Sequence, residues 1–157
     1  MRSLFFSSIF LFTTLISTAN TLDVPFFGQG FEKALFTGSL DIKKHHLTGF
    51  LLIKKMEDES YRIVFTNQIG MTFFDFEVKQ NGFKVVYCFE SLNRKALIRI
   101  FEKDFRVLLE STGDTITRGF LDKAEITYTK PTEGSRPGFR IRNPRIGLKM
   151  NFSLLDR

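Results

Sequence analysis

FKVVYCFESLNRKALIRIFEKDFRVLLE, residues Phe83 to Glu110, changes its apolar period part-way along. Phe83, Val85, Tyr87 and Phe89 alternate, as on a strand. From Asn93 the spacing lengthens: Leu97, Phe101, Phe105 and Leu108 recur at helical intervals, with Ile98 and Leu109 beside them. Arg94, Lys95, Arg99, Glu102, Lys103 and Arg106 occupy the other faces, so residues 93–110 read as one amphipathic helix. Ser91 or Asn93 can cap its start, and Ser111-Thr112-Gly113 stops it. A strand that runs into such a helix argues against an outer-membrane barrel, which needs strands throughout.

Upstream, the chain reads as successive strands parted by turn chemistry. Phe36 to Lys43 is followed by a break at Lys44-His45-His46, then by Leu47 to Lys55 and the polar turn Met56 to Ser60. Tyr61 to Thr66, Met71 to Lys79 and Phe83 to Glu90 follow, and Asn81-Gly82 is expected to supply the positive φ of a tight hairpin. Downstream, Lys123 to Lys130 reads as a strand and Pro131 to Gly138 as a loop. Ile146, Leu148, Met150, Phe152 and Leu154 then alternate with polar or small residues, which marks a half-buried strand. The fold class expected is mainly β (α+β): a curved antiparallel sheet or half-barrel of about seven to nine strands. One amphipathic helix packs on its concave face. A single domain spans residues 36–155, after a lead-in at 20–35, and there is no internal repeat.

Residues 1–19 read as a secretory signal peptide. Arg2 precedes the apolar run Leu4 to Ile16, and Ser17-Thr18-Ala19 offers small residues for cleavage. Export to the periplasm or cell envelope is therefore expected. No cysteine stands just after the apolar run, the first being Cys88, so no lipid anchor is expected. The chain has 157 residues, 43% of them hydrophobic, with 20 Phe, one Cys and a net charge of +6. So many aromatics exclude disorder, and Cys88 has no partner for an internal disulfide. Without the signal, 16 Phe and a charge of +5 remain. Export redirects that charge from nucleic acid toward anionic lipid or polysaccharide.

The early strands carry apolar residues on both faces, more than a sheet with one wet face requires. Leu47, Leu51 and Ile53 oppose Phe50 and Leu52; Met71 and Phe73 oppose Phe74, Phe76 and Val78. Two explanations stand open. The apolar faces pack against the helix, loops or a second protein, or they line an apolar cleft. Phenylalanine suits such a lining because it carries no polar group to satisfy.

Catalytic and metal motifs are weak. His45-His46 is the only histidine pair, and neighbours on a strand point to opposite faces, so no metal site is expected. Cys88 lies in a strand pattern with no histidine near it in sequence. Asp75 and Glu77 share a face and could pair as carboxylates, but are expected rather to be solvated or neutralised by neighbouring Lys and Arg. Arg136, Arg140, Arg142 and Arg145 form a basic stretch suited to an anionic surface if they share a face, or to a solvated sheet edge.

The runs GFLLIKK (Gly49 to Lys55), YRIVFTNQIGMTFFDFE (Tyr61 to Glu77) and Phe83 to Leu109 resemble small exported proteins and lipoproteins of Bacteroidota. Their sheet-and-helix outline is like that of the lipoprotein localisation factors LolA and LolB. The resemblance implies an open half-barrel whose apolar cavity holds acyl chains. The expected function is thus non-enzymatic binding of a lipid acyl chain or lipidated partner, without a cofactor. The candidate lining is Phe50, Leu52, Phe65, Phe74, Phe76, Phe83, Tyr87, Leu97, Phe101 and Phe105. The alternative is an envelope interaction module with no small-molecule ligand.

Overall fold

Short polar turns fix the first half of the chain as a meander. The computed structural model describes residues 27, 30–110, 115–117, 124–129, 134 and 136–156. Strands β1 (Lys33–Ile42), β2 (His45–Lys55), β3 (Tyr61–Thr66), β4 (Thr72–Lys79) and β5 (Gly82–Cys88) lead into helix α1 (Lys95–Glu110). After it come β6 (Thr115–Thr117), β7 (Glu125–Thr129), β8 (Gly138–Asn143) and β9 (Leu148–Asp156). The nine strands form one sheet in the order β5-β4-β3-β2-β1-β9-β8-β7-β6. All pairings are antiparallel, and the curved sheet does not close. The mainly β class expected from the sequence is what the protein has, with one helix among the described residues.

Several local expectations need correction. β1 begins at Lys33, inside the supposed lead-in, and Phe27 and Phe31 are already buried in the core. Residues 138–143, left between a loop and a basic stretch, form β8: Phe139 and Ile141 are buried while Arg140 and Arg142 alternate outward. The final strand starts at Leu148, because Gly147 at φ 68° turns the chain and leaves Ile146 in the turn. The β4–β5 hairpin forms, yet neither Asn81 nor Gly82 has positive φ. That conformation falls instead on Lys43 (52°) and Glu59 (62°). The proposed signal segment, 1–19, lies outside the described residues.

The helix covers the concave face through aromatic rings. Phe74 and Phe76 stack at 4.6 Å, and Phe101 lies 5.4 and 5.6 Å from them. Phe105 lies 5.9 and 6.3 Å from the same pair. The contacts continue across the sheet from Phe74 to Phe65, Phe152, Phe139 and Phe36, at centroid separations of 5.2–5.5 Å. All of these rings are buried. Offset and edge-on pairs of this kind contribute roughly 0.5–1.5 kcal/mol each beyond the area they bury.

Polar ties fix the helix at its C-terminal end. The Arg106 guanidinium donates to the carbonyls of Lys79 (2.8 Å), Gln80 (3.1 Å) and Gly82 (2.7 Å), clamping the β4–β5 turn. From the other side, the Tyr128 hydroxyl of β7 donates to the Leu108 carbonyl at 2.7 Å. That carbonyl belongs to the last turn, where helical acceptors lack partners along the helix. The helix is thus held from both halves of the open sheet.

Curvature needs close backbone approach, which Gly38 and Gly49 permit where they pair across β1 and β2. A Cβ on Gly49 would lie 1.8 Å from the Thr66 carbonyl oxygen, and one on Gly38 would lie 1.9 Å from that of Asn151. Glycine at such points lets a sheet coil tightly. Gly49→Ala should therefore lower stability by about 1–3 kcal/mol or more. Gly82→Ala, whose Cβ would meet nothing nearer than 3.9 Å, should change it little. Chemical denaturation of the two variants checks this; equal midpoints would contradict the account of the curvature.

Candidate functional site

Strand parity divides the sequence-predicted lining. Phe65, Phe74, Phe76 and Phe83 share the inner face: Phe74 and Phe76 meet Phe101 and Phe105, Phe65 and Phe83 pack on that pair, and Leu97 belongs to the same core cluster. Phe50, Leu52 and Tyr87 lie on the opposite face: Leu52 pairs with Val64, Val64 with Asp75, and Asp75 with Tyr87. These three are corrected as lining residues, since one cleft cannot be lined from both sides of a sheet. The inward-facing rings pack on one another, so the space between helix and sheet is occupied by phenylalanine itself.

An apolar cavity of about 350 Å³ opens instead where the helix begins. Three turns build it. The last residue of β1, Ile42, supplies one wall; Leu97 and Ile100, one turn apart along α1, supply the second; Ile146, held in the β8–β9 turn, supplies the third. Its rim carries Lys43, Lys44, His45 and Arg94, with Ser91 and Ala96 between. Among the described residues no carboxylate contributes to the lining. The first turn of α1 is also free of acidic side chains. Lys43 and Lys44 form the two-residue loop that joins β1 to β2, so the hairpin brings both lysines into the lining. Sequence reasoning assigned only Leu97 of this set to a ligand.

The histidines separate as strand geometry requires: His45 lines the cavity, while His46 on the other face pairs with Asp41. Among the described residues no group of three or more potential metal ligands comes together. Burial pushes the Cys88 thiol up to about 11, which leaves it protonated and weakly nucleophilic near neutral pH.

The carboxylates on the outer face are neutralised. Asp75 accepts two hydrogen bonds from the Arg62 guanidinium, with Nη2 at 2.6 Å from Oδ2. Glu77 pairs with Lys79 at 2.9 Å, and that contact lowers its pKa. A second, larger groove of about 890 Å³ lies around the β2–β3 turn, at the other end of these strands. Its walls carry charges of both signs, some of them paired: Lys55 meets Glu59 at 2.5 Å, and Lys79 approaches Asp58 at 3.7 Å. The Ser60 hydroxyl and backbone N–H hold Asp58 below the ordinary carboxylate range. Such shifts run away from neutrality, opposite to the tuning of a general acid.

The four arginines do not form one strip. Arg140 and Arg142 project from the same face of β8, but Arg140 donates to Asn151 at 2.7 Å and Arg142 stands beside Glu125. Arg136 precedes the strand and Arg145 follows it, with about 20 Å of strand between them. Elsewhere, Val86, Tyr87 and Phe89 are exposed on or just beyond the edge strand β5, and Ile69 and Met71 on the β3–β4 loop. No helix among the described residues is long and apolar enough to cross a membrane. No protein-family model matches the chain, and no curated protein matches it.

Proposed function

We propose that the protein is an exported, non-enzymatic binder of a single lipid acyl chain, held in the cavity at the start of α1. The observation that carries this reading is the 350 Å³ cavity with aliphatic walls at Ile42, Leu97, Ile100 and Ile146. Ligand pockets are mostly apolar and occupy roughly 300–1,000 Å³, so this volume suits one slender chain rather than a bulky ligand. Each methylene transferred from water into such a site is worth about 0.8 kcal/mol. The outline of a curved sheet covered by a helix supports a likeness to LolA and LolB. The site differs from the one that likeness implies, because phenylalanine rings already fill the concave face.

Recombinant protein should bind a fluorescent fatty acid that unlabelled dodecanoate displaces. Ile100→Asp, at the cavity wall, should weaken binding roughly tenfold or more. Phe50→Asp, on the opposite face, should leave it unchanged. Circular dichroism establishes that both variants fold. Wild-type protein that binds no alkyl chain would overturn the reading.

The exposed Val86, Tyr87 and Phe89 favour a second reading, an envelope interaction module docking through the β5 edge. Sedimentation should then show concentration-dependent self-association that Tyr87→Lys abolishes. A monomer at every concentration would remove the self-association form of this reading.

A further inference from the structure

We infer that the ligand of this cavity is a single-chain amphiphile with an anionic head. Its chain lies along Ile42, Leu97, Ile100 and Ile146, and its headgroup is held by Lys43, Lys44 and Arg94. The inference rests on the acyl-chain reading above and adds the headgroup class to it.

Charge distribution carries the argument. Several cations of the fold stand beside carboxylates: Lys55 with Glu59, Arg62 with Asp75, Lys79 with Glu77 and Arg106 with Glu102. The cavity is lined differently. Lys43, Lys44 and Arg94 come together there with His45, and no Asp or Glu among the described residues joins them. Like charges gathered around a low-dielectric wall repel one another and raise the local concentration of anions. The apolar walls beneath require the anion to carry a hydrocarbon tail.

The backbone adds a second observation. Lys43 occupies φ 52° in a two-residue hairpin loop, a conformation in which glycine or asparagine is less strained. A lysine nevertheless stands there, in the lining of the cavity. Lys43→Gly therefore separates the two roles, since it relieves strain while removing one charge. The cations also ring a concavity rather than forming a flat strip, which fits one chain better than a bilayer surface.

Calorimetric titration of the recombinant full chain tests the inference with chain-matched ligands below their micelle concentrations. Dodecanoate should bind at least roughly tenfold more tightly than its uncharged glycerol monoester. Added salt should narrow that gap, because the attraction is screened. Lys43→Gly and Arg94→Gln should each reduce the preference without weakening the glycerol monoester. Lys43→Gly should melt no lower than wild type. Equal affinity for the two ligands would overturn the headgroup inference and leave the acyl-chain reading standing, whereas binding of neither would overturn both. Inorganic phosphate or acetate binding as tightly as dodecanoate would identify an anion site without a chain and contradict the proposal. Binding to anionic vesicles but not to monomeric dodecanoate would contradict it in favour of a membrane surface.

Discussion

The contact between Phe101 and Phe105 of the helix and the stacked pair Phe74 and Phe76 of β4 is the constraint on which the rest of the molecule depends. An open sheet with one long helix has little else to bury against its concave side. Packing rings there removes a large apolar area from water without introducing a polar group that needs a partner. The same choice fills the space that a half-barrel would otherwise offer to a ligand. Free volume is displaced to the edge of the stack, where the helix begins and three turns meet.

The glycine pair Gly38 and Gly49 belongs to the same logic. Without their close approach to neighbouring carbonyls, the sheet could not curve enough for β7 to reach the helix through Tyr128 while Arg106 holds the β4–β5 turn. Curvature also leaves the two ends of the central strands chemically distinct. Around the β2–β3 turn, the groove carries charges of both signs. Around the β1–β2 turn, the described lining joins cations to aliphatic side chains without a carboxylate. The second arrangement suits an anionic amphiphile better, since it sets apolar walls beside charge of one sign.

Strand existence was legible where periodicity was strong. Tyr61 to Thr66 is a strand with those bounds, and the alternation through Met150 and Phe152 placed β9 correctly. The helical stripe of Leu97, Phe101, Phe105 and Leu108 is buried as read. Faces were harder. A strand such as β2, apolar on both sides, does not say which of Leu51 or Phe50 points inward, and so Phe50, Leu52 and Tyr87 were grouped with rings they do not meet. β8 escaped because arginines dominate its appearance, although Phe139-Arg140-Ile141-Arg142 alternates plainly. The cavity was least legible, since Ile42 of β1, Leu97 of α1 and Ile146 of the β8–β9 turn are distant in sequence and their meeting depends on the curvature of the whole sheet.

The central claim is that ligand enters the end cavity rather than the aromatic core. Methyl-resolved NMR of isotope-labelled protein titrated with dodecanoate tests it most directly. The account predicts chemical-shift changes confined to the Ile42, Leu97, Ile100 and Ile146 methyls, with those of Leu51, Ile53 and Ile63 in the core unmoved. Changes centred on Leu51, Ile53 and Ile63, or on Leu52 and Val64 of the outer face, would contradict it.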